Sequence, residues 1–111
     1  MKEISWADFE ILDLRSWTIT RVEYFPEARN PAYKIWIDFW KEIGERKTSA
    51  QITQLYTKQE LIWKQITAVI NFPEKQIWNF MSQCLITWFY SEQWVVLAVP
   101  DKNINNWLKL G

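Results

Sequence analysis

Tyr33, Ile35, Ile37 and Phe39 alternate with Lys34, Trp36 and Asp38, the two-residue period of a strand that buries one face and wets the other. The stretch from Leu12 to Tyr24 is rich in Leu, Ile, Thr, Val and aromatics, but its alternation is interrupted; that pattern predicts a long strand that bends or bulges. Phe25-Pro26-Glu27-Ala28-Arg29-Asn30-Pro31 reads as a loop between the two. Lys41 to Arg46 holds Gly44 among charges and predicts a hairpin turn into a strand through Lys47 to Thr53. Thr57-Lys58-Gln59-Glu60 has the form of a capping box and predicts a short helix. Two apolar, β-rich runs follow, Gln65 to Asn71 and Gln83 to Tyr90, with a polar loop from Phe72 to Ser82 between them; Trp94 to Val99 is a last strand, ended by Pro100. Before all of these, Ser5 to Glu10 reads as one turn of helix with Ser5 as its N-cap.

Five or six strands, with one short helix between the third and the fourth, predict a mainly all-β chain built as a five-stranded OB-fold barrel. Trp17, Trp40 and Trp63 are spaced 23 apart, but their neighbours do not align and residue 86 is Ile, so there is no repeat. With 111 residues the chain is expected to form one domain.

Composition narrows the function classes. A hydrophobic share of 49% and a charged share of 23% are those of an ordinary globular protein. The longest apolar runs, such as Val95 to Val99, are far below the roughly 20 residues of a membrane span, and the N-terminus lacks a basic-then-apolar leader. No membrane insertion is expected, and the expected location is the cytoplasm. Cys84, the single cysteine, reads as a core residue. Thirteen basic and thirteen acidic side chains cancel, so a nucleic-acid site would have to be local. With no histidine and one cysteine, Cys/His zinc sites and iron–sulfur clusters are excluded, as are Cys–His and Ser–His–Asp catalysis. The expectation is a binding module, with neither an enzyme's active site nor a cofactor.

Asn71 to Gln83 mixes amide, base, aromatic and hydroxyl groups. Lys75 suits a phosphate, Asn79 and Ser82 suit a base or ribose, and Phe80 suits stacking on an unpaired base; a solvated barrel loop is the alternative. Arg15 reads either as an outward cation or as a structural partner of Asp13 or Asp38. Lys34 is expected in solvent, where it could meet a phosphate. Ser49-Ala50-Gln51 either brings small polar groups beside the loop or is plain strand, and Asp8, Glu10 and Asp13 read as a solvated segment rather than an acid pair.

Taken in order, Asp8-Phe9 with Asp13-Leu14-Arg15, Phe25 to Ala32, Ser49-Ala50-Gln51-Ile52-Thr53, Asn71-Phe72-Pro73 and Pro100-Asp101 resemble the free-standing tRNA-binding proteins called CsaA. Related domains are appended to some tRNA synthetases, and all share an OB-fold. The resemblance covers nearly the whole chain. It implies a single tRNA-binding domain over residues 1–111, and a homodimer built partly by terminal extensions outside the barrel. It also implies recognition of tRNA by shape, with a chaperone role in protein export as the alternative. The RNA contacts it implies are Lys34, Asn71, Lys75, Asn79, Phe80, Met81 and Ser82, supported by Arg15 and Ser49. For unfolded precursor proteins it implies an apolar peptide groove with Phe72, Phe80 and Met81.

One departure stands out. Where this family shows glycine, Trp17, Trp40, Trp63, Trp78, Trp88, Trp94 and Trp107 are written. The chain has two glycines against the roughly eight that average usage predicts, and nine tryptophans. The expected explanation is a UGA codon that means glycine in the source cell; a tryptophan-rich stacking surface for single-stranded nucleic acid is the alternative. On the first reading the positions should lie at turns and bends, and the chain as written should fold poorly.

Overall fold

In the computed structural model, which describes residues 1–39, 44–92 and 94–111, the interrupted alternation of β1 (Leu14–Tyr24) has a geometric cause. Trp17 and Ile19 point inward, and so does Val22, which lies on the opposite parity. Against β2 (Tyr33–Phe39), Ile19 pairs with Ile37 but Arg21 pairs with Trp36, so one extra residue is accommodated on β1. That bulge resets which face is buried.

β1 pairs with β4 (Gln65–Val69) through its first five residues and with β2 from Thr18 onward. β3 (Gly44–Ala50) extends the sheet beyond β2, and β7 (Leu85–Ile86) extends it beyond β4, giving the order β3-β2-β1-β4-β7. The sheet curls until its edges meet: Gln83 N–H donates to the Lys47 carbonyl at 2.8 Å, and Thr48 Oγ1 donates to the Cys84 carbonyl at 2.7 Å. This is the expected OB-fold half-barrel. Trp17, Ile19, Ile35, Ile37, Ile66 and Ile86 fill it, and Leu61 of the short helix α2 (Lys58–Leu61) enters the same core. The Thr57/Glu60 capping box is formed, as is one between Ser5 and Asp8 at the start of α1 (Trp6–Ile11).

Three expectations need correction. The supposed loop from Phe72 to Ser82 contains a hairpin, β5 (Lys75–Ile77) and β6 (Phe80–Ser82), because Phe80 buries against Phe25 and Ala32, with Ile77 packed alongside. The run Gln83 to Tyr90 is two strands: β7 pairs with β4, whereas β8 (Trp88–Ser91) pairs with β9 (Trp94–Leu97). They part at Thr87, whose N–H and hydroxyl both bond the Thr67 carbonyl, at 3.1 Å each. The strand expected from Lys47 to Thr53 instead runs from Gly44 to Ala50. Trp40 and the first half of the predicted turn at 41–46 lie outside the described residues.

The tryptophans divide as well. Trp63, Trp78 and Trp107 sit at turns with left-handed φ, whereas Trp17, Trp88 and Trp94 lie within strands without it. The expectation of turns and bends therefore holds for three of the six described positions.

Candidate nucleic-acid interface

With Tyr33, Ile35 and Ile37 buried, strand alternation turns Lys34 and Trp36 outward. Register then sets two rows across the outer face: Glu23, Lys34 and Ser49 in one, Arg21, Trp36 and Lys47 in the other. The cations rest on aromatic rings. The Arg21 guanidinium lies 4.3 Å from the Trp36 ring centre, Lys34 Nζ is 4.8 Å from Phe25 and 5.5 Å from Phe80, and Lys47 Nζ is 4.9 Å from Phe80. Phe80 in turn packs on Phe25 at 5.5 Å and edge-on to Trp36 at 6.0 Å. Each such contact is worth about 0.5–1 kcal/mol at an exposed site, enough to bias where flexible side chains spend their time. Arg21 is also paired with Glu23, and Lys34 lies 3.8 Å from Glu27. Among the described residues Lys47 has no carboxylate within ion-pair distance.

The β5–β6 hairpin is fastened beside this strip. Thr48 has one hydroxyl proton; when it goes to the Cys84 carbonyl, Ser82 Oγ, 2.7 Å away, must donate to Thr48 and keeps its lone pairs to accept. Lys47 N–H donates to Gln83 Oε1 at 3.2 Å, locking the same junction. Lys75 lies opposite Ser82 and Gln76 opposite Met81, with Trp78 and Asn79 at the tip. Lys75 and Asn79 are exposed, and Met81 is half-buried.

Lys34, Ser49, Lys75, Asn79, Phe80, Met81 and Ser82 are thus gathered on β2, β3 and the hairpin that packs on β3. Phe80 does not offer the open ring expected of it: it is 4% exposed and serves as the seat of two lysines. Arg15 and Asn71 are committed elsewhere. Arg15 Nε bonds Asp13 at 2.7 Å, Nη1 donates to the Trp107 carbonyl at 3.0 Å, and the guanidinium covers the Trp107 ring at 4.2 Å. Asn71 ties α1 to the end of β4, donating to the Ile11 carbonyl at 2.6 Å and accepting from Asp13 N–H at 3.1 Å. Arg21, Trp36 and Lys47 belong to the strip but escaped the sequence reading. Their signal was parity: Lys47 shares its face with Ser49, and Trp36 with Lys34.

Beside the hairpin, and sharing Lys75 and Ser82 with it, is an open groove of about 390 Å³, lined by Phe72, Pro73, Glu74, Lys75, Ser82, Cys84 and Leu85. Phe72 is there as expected, but Phe80 and Met81 do not line it. Burial pushes the Cys84 thiol up to about 12, against a smaller lowering by Arg46. Among the described residues no group of three or more His, Cys, Asp or Glu side chains could hold a metal ion, and no helix is long and apolar enough to cross a membrane. Ile4, Trp6 and Ile11 around α1 are exposed, as are Leu108 and Leu110 near the C-terminus.

No family model matches the chain. Its structure is similar to the crystal structure of chaperone CsaA from Bacillus anthracis, with 41% identity, a TM-score of 0.91, and coverage of 99% of this chain and 100% of that one. It is likewise similar to the CsaA chaperone protein of Picrophilus torridus, at 43% identity and a TM-score of 0.86 over 94% of this chain and 98% of that one. A MetRS related protein from Pyrococcus horikoshii shares the fold at 19% identity, with a TM-score of 0.86 and full coverage of both chains. In sequence, methionine–tRNA ligases of Pyrococcus furiosus and Thermococcus onnurineus match at 28% and 27% identity over 94% and 91% of this chain. The matched stretch is 14% and 13% of those ligases' own length.

Proposed function

Because this chain belongs to the CsaA family, we propose that residues 1–111 act as one non-catalytic tRNA-binding domain that recognises tRNA by shape and works in the cytoplasm. The observation that supports this most is the cation strip: Arg21, Lys34 and Lys47 held on Trp36, Phe25 and Phe80, with Lys75 on the adjoining hairpin. Glu23 and Glu27 offset Arg21 and Lys34 on this face of a chain with no net charge, which leaves Lys47 and Lys75 as the cations that phosphates would meet first. Ser49, Asn79 and Ser82 supply the hydrogen-bonding groups, and the half-buried Met81 adds apolar contact. The sequence matches to methionine–tRNA ligases point to the same ligand class.

Binding of bulk tRNA, measured by filter retention from low to moderate salt, tests the reading. The expected result is an affinity that falls steeply with salt, and a shallower salt dependence, by about one in slope, for Lys75→Ala. No retention at low salt, or unchanged binding by Lys75→Ala and Asn79→Ala, would refute it.

A second reading is favoured by the groove beneath Phe72 and Leu85, which suits an apolar segment of an unfolded precursor protein. That activity would appear as suppressed aggregation with little dependence on salt. In either role we propose a homodimer, since Ile4, Trp6, Ile11, Leu108 and Leu110 offer apolar surface suited to self-association.

A further inference from the structure

Among the described residues four that are not glycine have left-handed φ, and three of them are tryptophans: Trp63 at 70°, Trp78 at 56° and Trp107 at 75°. The fourth, Glu92 at 49°, follows the last residue of β8. Eight of the nine tryptophans are described, Trp40 being outside, so random placement over the described residues would put fewer than one among any four. The only internal glycine, Gly44, lies in the same region at 77°.

Each turn has a form with a known residue demand. Ile62 at φ −62° and ψ 128°, followed by Trp63 at φ 70°, with Lys64 N–H bonded to the Leu61 carbonyl at 3.0 Å, make a type II turn. The third residue of such a turn is characteristically glycine. Trp78 and Asn79 form the two-residue connection of the β5–β6 hairpin, left-handed at the first position and not at the second. That is the pattern of a type II′ turn, which takes glycine first. Trp107 turns the C-terminal segment so that its N–H reaches the Ser16 carbonyl at 2.8 Å while Leu108 N–H reaches Ser16 Oγ at 3.1 Å. A large side chain is a rare occupant of such backbone. Burial does not explain two of the three, since Trp63 is 72% and Trp78 65% exposed. Trp107 does gain contacts, with Trp17 at 4.7 Å and with Arg15.

We infer that Trp63, Trp78 and Trp107 are glycine positions, filled by glycine in the protein as its own cell makes it, through a UGA codon which that cell reads as glycine. The turn geometry carries this independently of the tRNA reading, but it alters the interface. Without an indole at residue 78, the hairpin tip beside Asn79 becomes bare backbone, which a phosphodiester chain can approach closely. Trp17, Trp88 and Trp94 lie in extended backbone and fall outside this inference.

The test is peptide mass spectrometry of the protein purified from its native cells, beside the sequence of its gene. Trypsin releases residues 59–64, 76–102 and 103–109 as separate peptides, which hold Trp63, Trp78 and Trp107 respectively. The expected result is glycine at all three positions, encoded by UGA. Tryptophan, or any residue other than glycine, at even one of the three overturns the inference, as does a UGG codon at any of them.

Discussion

Comparing alanine with glycine at each tryptophan separates backbone strain from loss of the indole, because both replacements remove the same ring. At Trp63 the φ of 70° costs an L-residue about 1–2 kcal/mol, while glycine carries an entropic handicap of about 0.5–1 kcal/mol relative to alanine. The difference leaves Trp63→Gly more stable than Trp63→Ala by up to about 1.5 kcal/mol, with a central value of about 0.75 kcal/mol. The same sum applies at Trp78. At Trp94, within β9 and without left-handed φ, only the handicap remains, and glycine should be the less stable of the pair by about 0.5–1 kcal/mol. Urea unfolding of the six variants reads this as a midpoint shift at constant slope. Glycine below alanine at Trp63 and Trp78, or the same sign at all three positions, would refute the strain argument.

Three further outcomes follow from the structure. Arg15→Ala should lower stability by about 1–3 kcal/mol, since it strips a partner from Asp13 and the Trp107 carbonyl, yet leave the salt dependence of tRNA binding unchanged; a shallower slope would return Arg15 to the interface. Leu61→Ala, at a fully buried position, should cost about 2–5 kcal/mol by thermal or urea unfolding. Cys84 keeps its proton to about 12 in the native state against an ordinary 9.0, so above about pH 9 the unfolded chain releases a proton that the native one holds, and stability falls as pH rises. Melts from pH 8 to 11 should show a smaller decline for Cys84→Ala, and equal declines would contradict the assignment.

β1 and β2 were legible because one face of each is buried: the alternation of Tyr33, Ile35 and Ile37 with Lys34 and Trp36, and the interruption within Leu12 to Tyr24, are consequences of that burial written into residue order. The Thr57/Glu60 capping box and the Ser5 N-cap were legible because they are local. The β5–β6 hairpin was not, since Phe80 finds its burial against Phe25 and Ala32, more than forty residues away in sequence. The structural alternative for Arg15, pairing with Asp13, is the one the structure shows; its other partner, the Trp107 carbonyl, and the Ile11 carbonyl that holds Asn71 lie on remote segments and were not legible. Lys47 failed to draw notice for the same reason. A lysine in a strand is ordinary until cross-strand register sets it beside Trp36 and over Phe80.

The bulge in β1 makes the effect of a deletion depend on where in that strand it falls. Removing Thr20, the extra residue, would leave Ile19 opposite Ile37 and Arg21 opposite Trp36 in unbroken antiparallel alternation, with Trp17, Ile19 and Val22 still on the buried face. Removing Thr18 instead would make Trp17 and Ile19 neighbours on opposite faces and turn one of them out of the core. Variation in the length of this strand should accordingly be confined to the bulge.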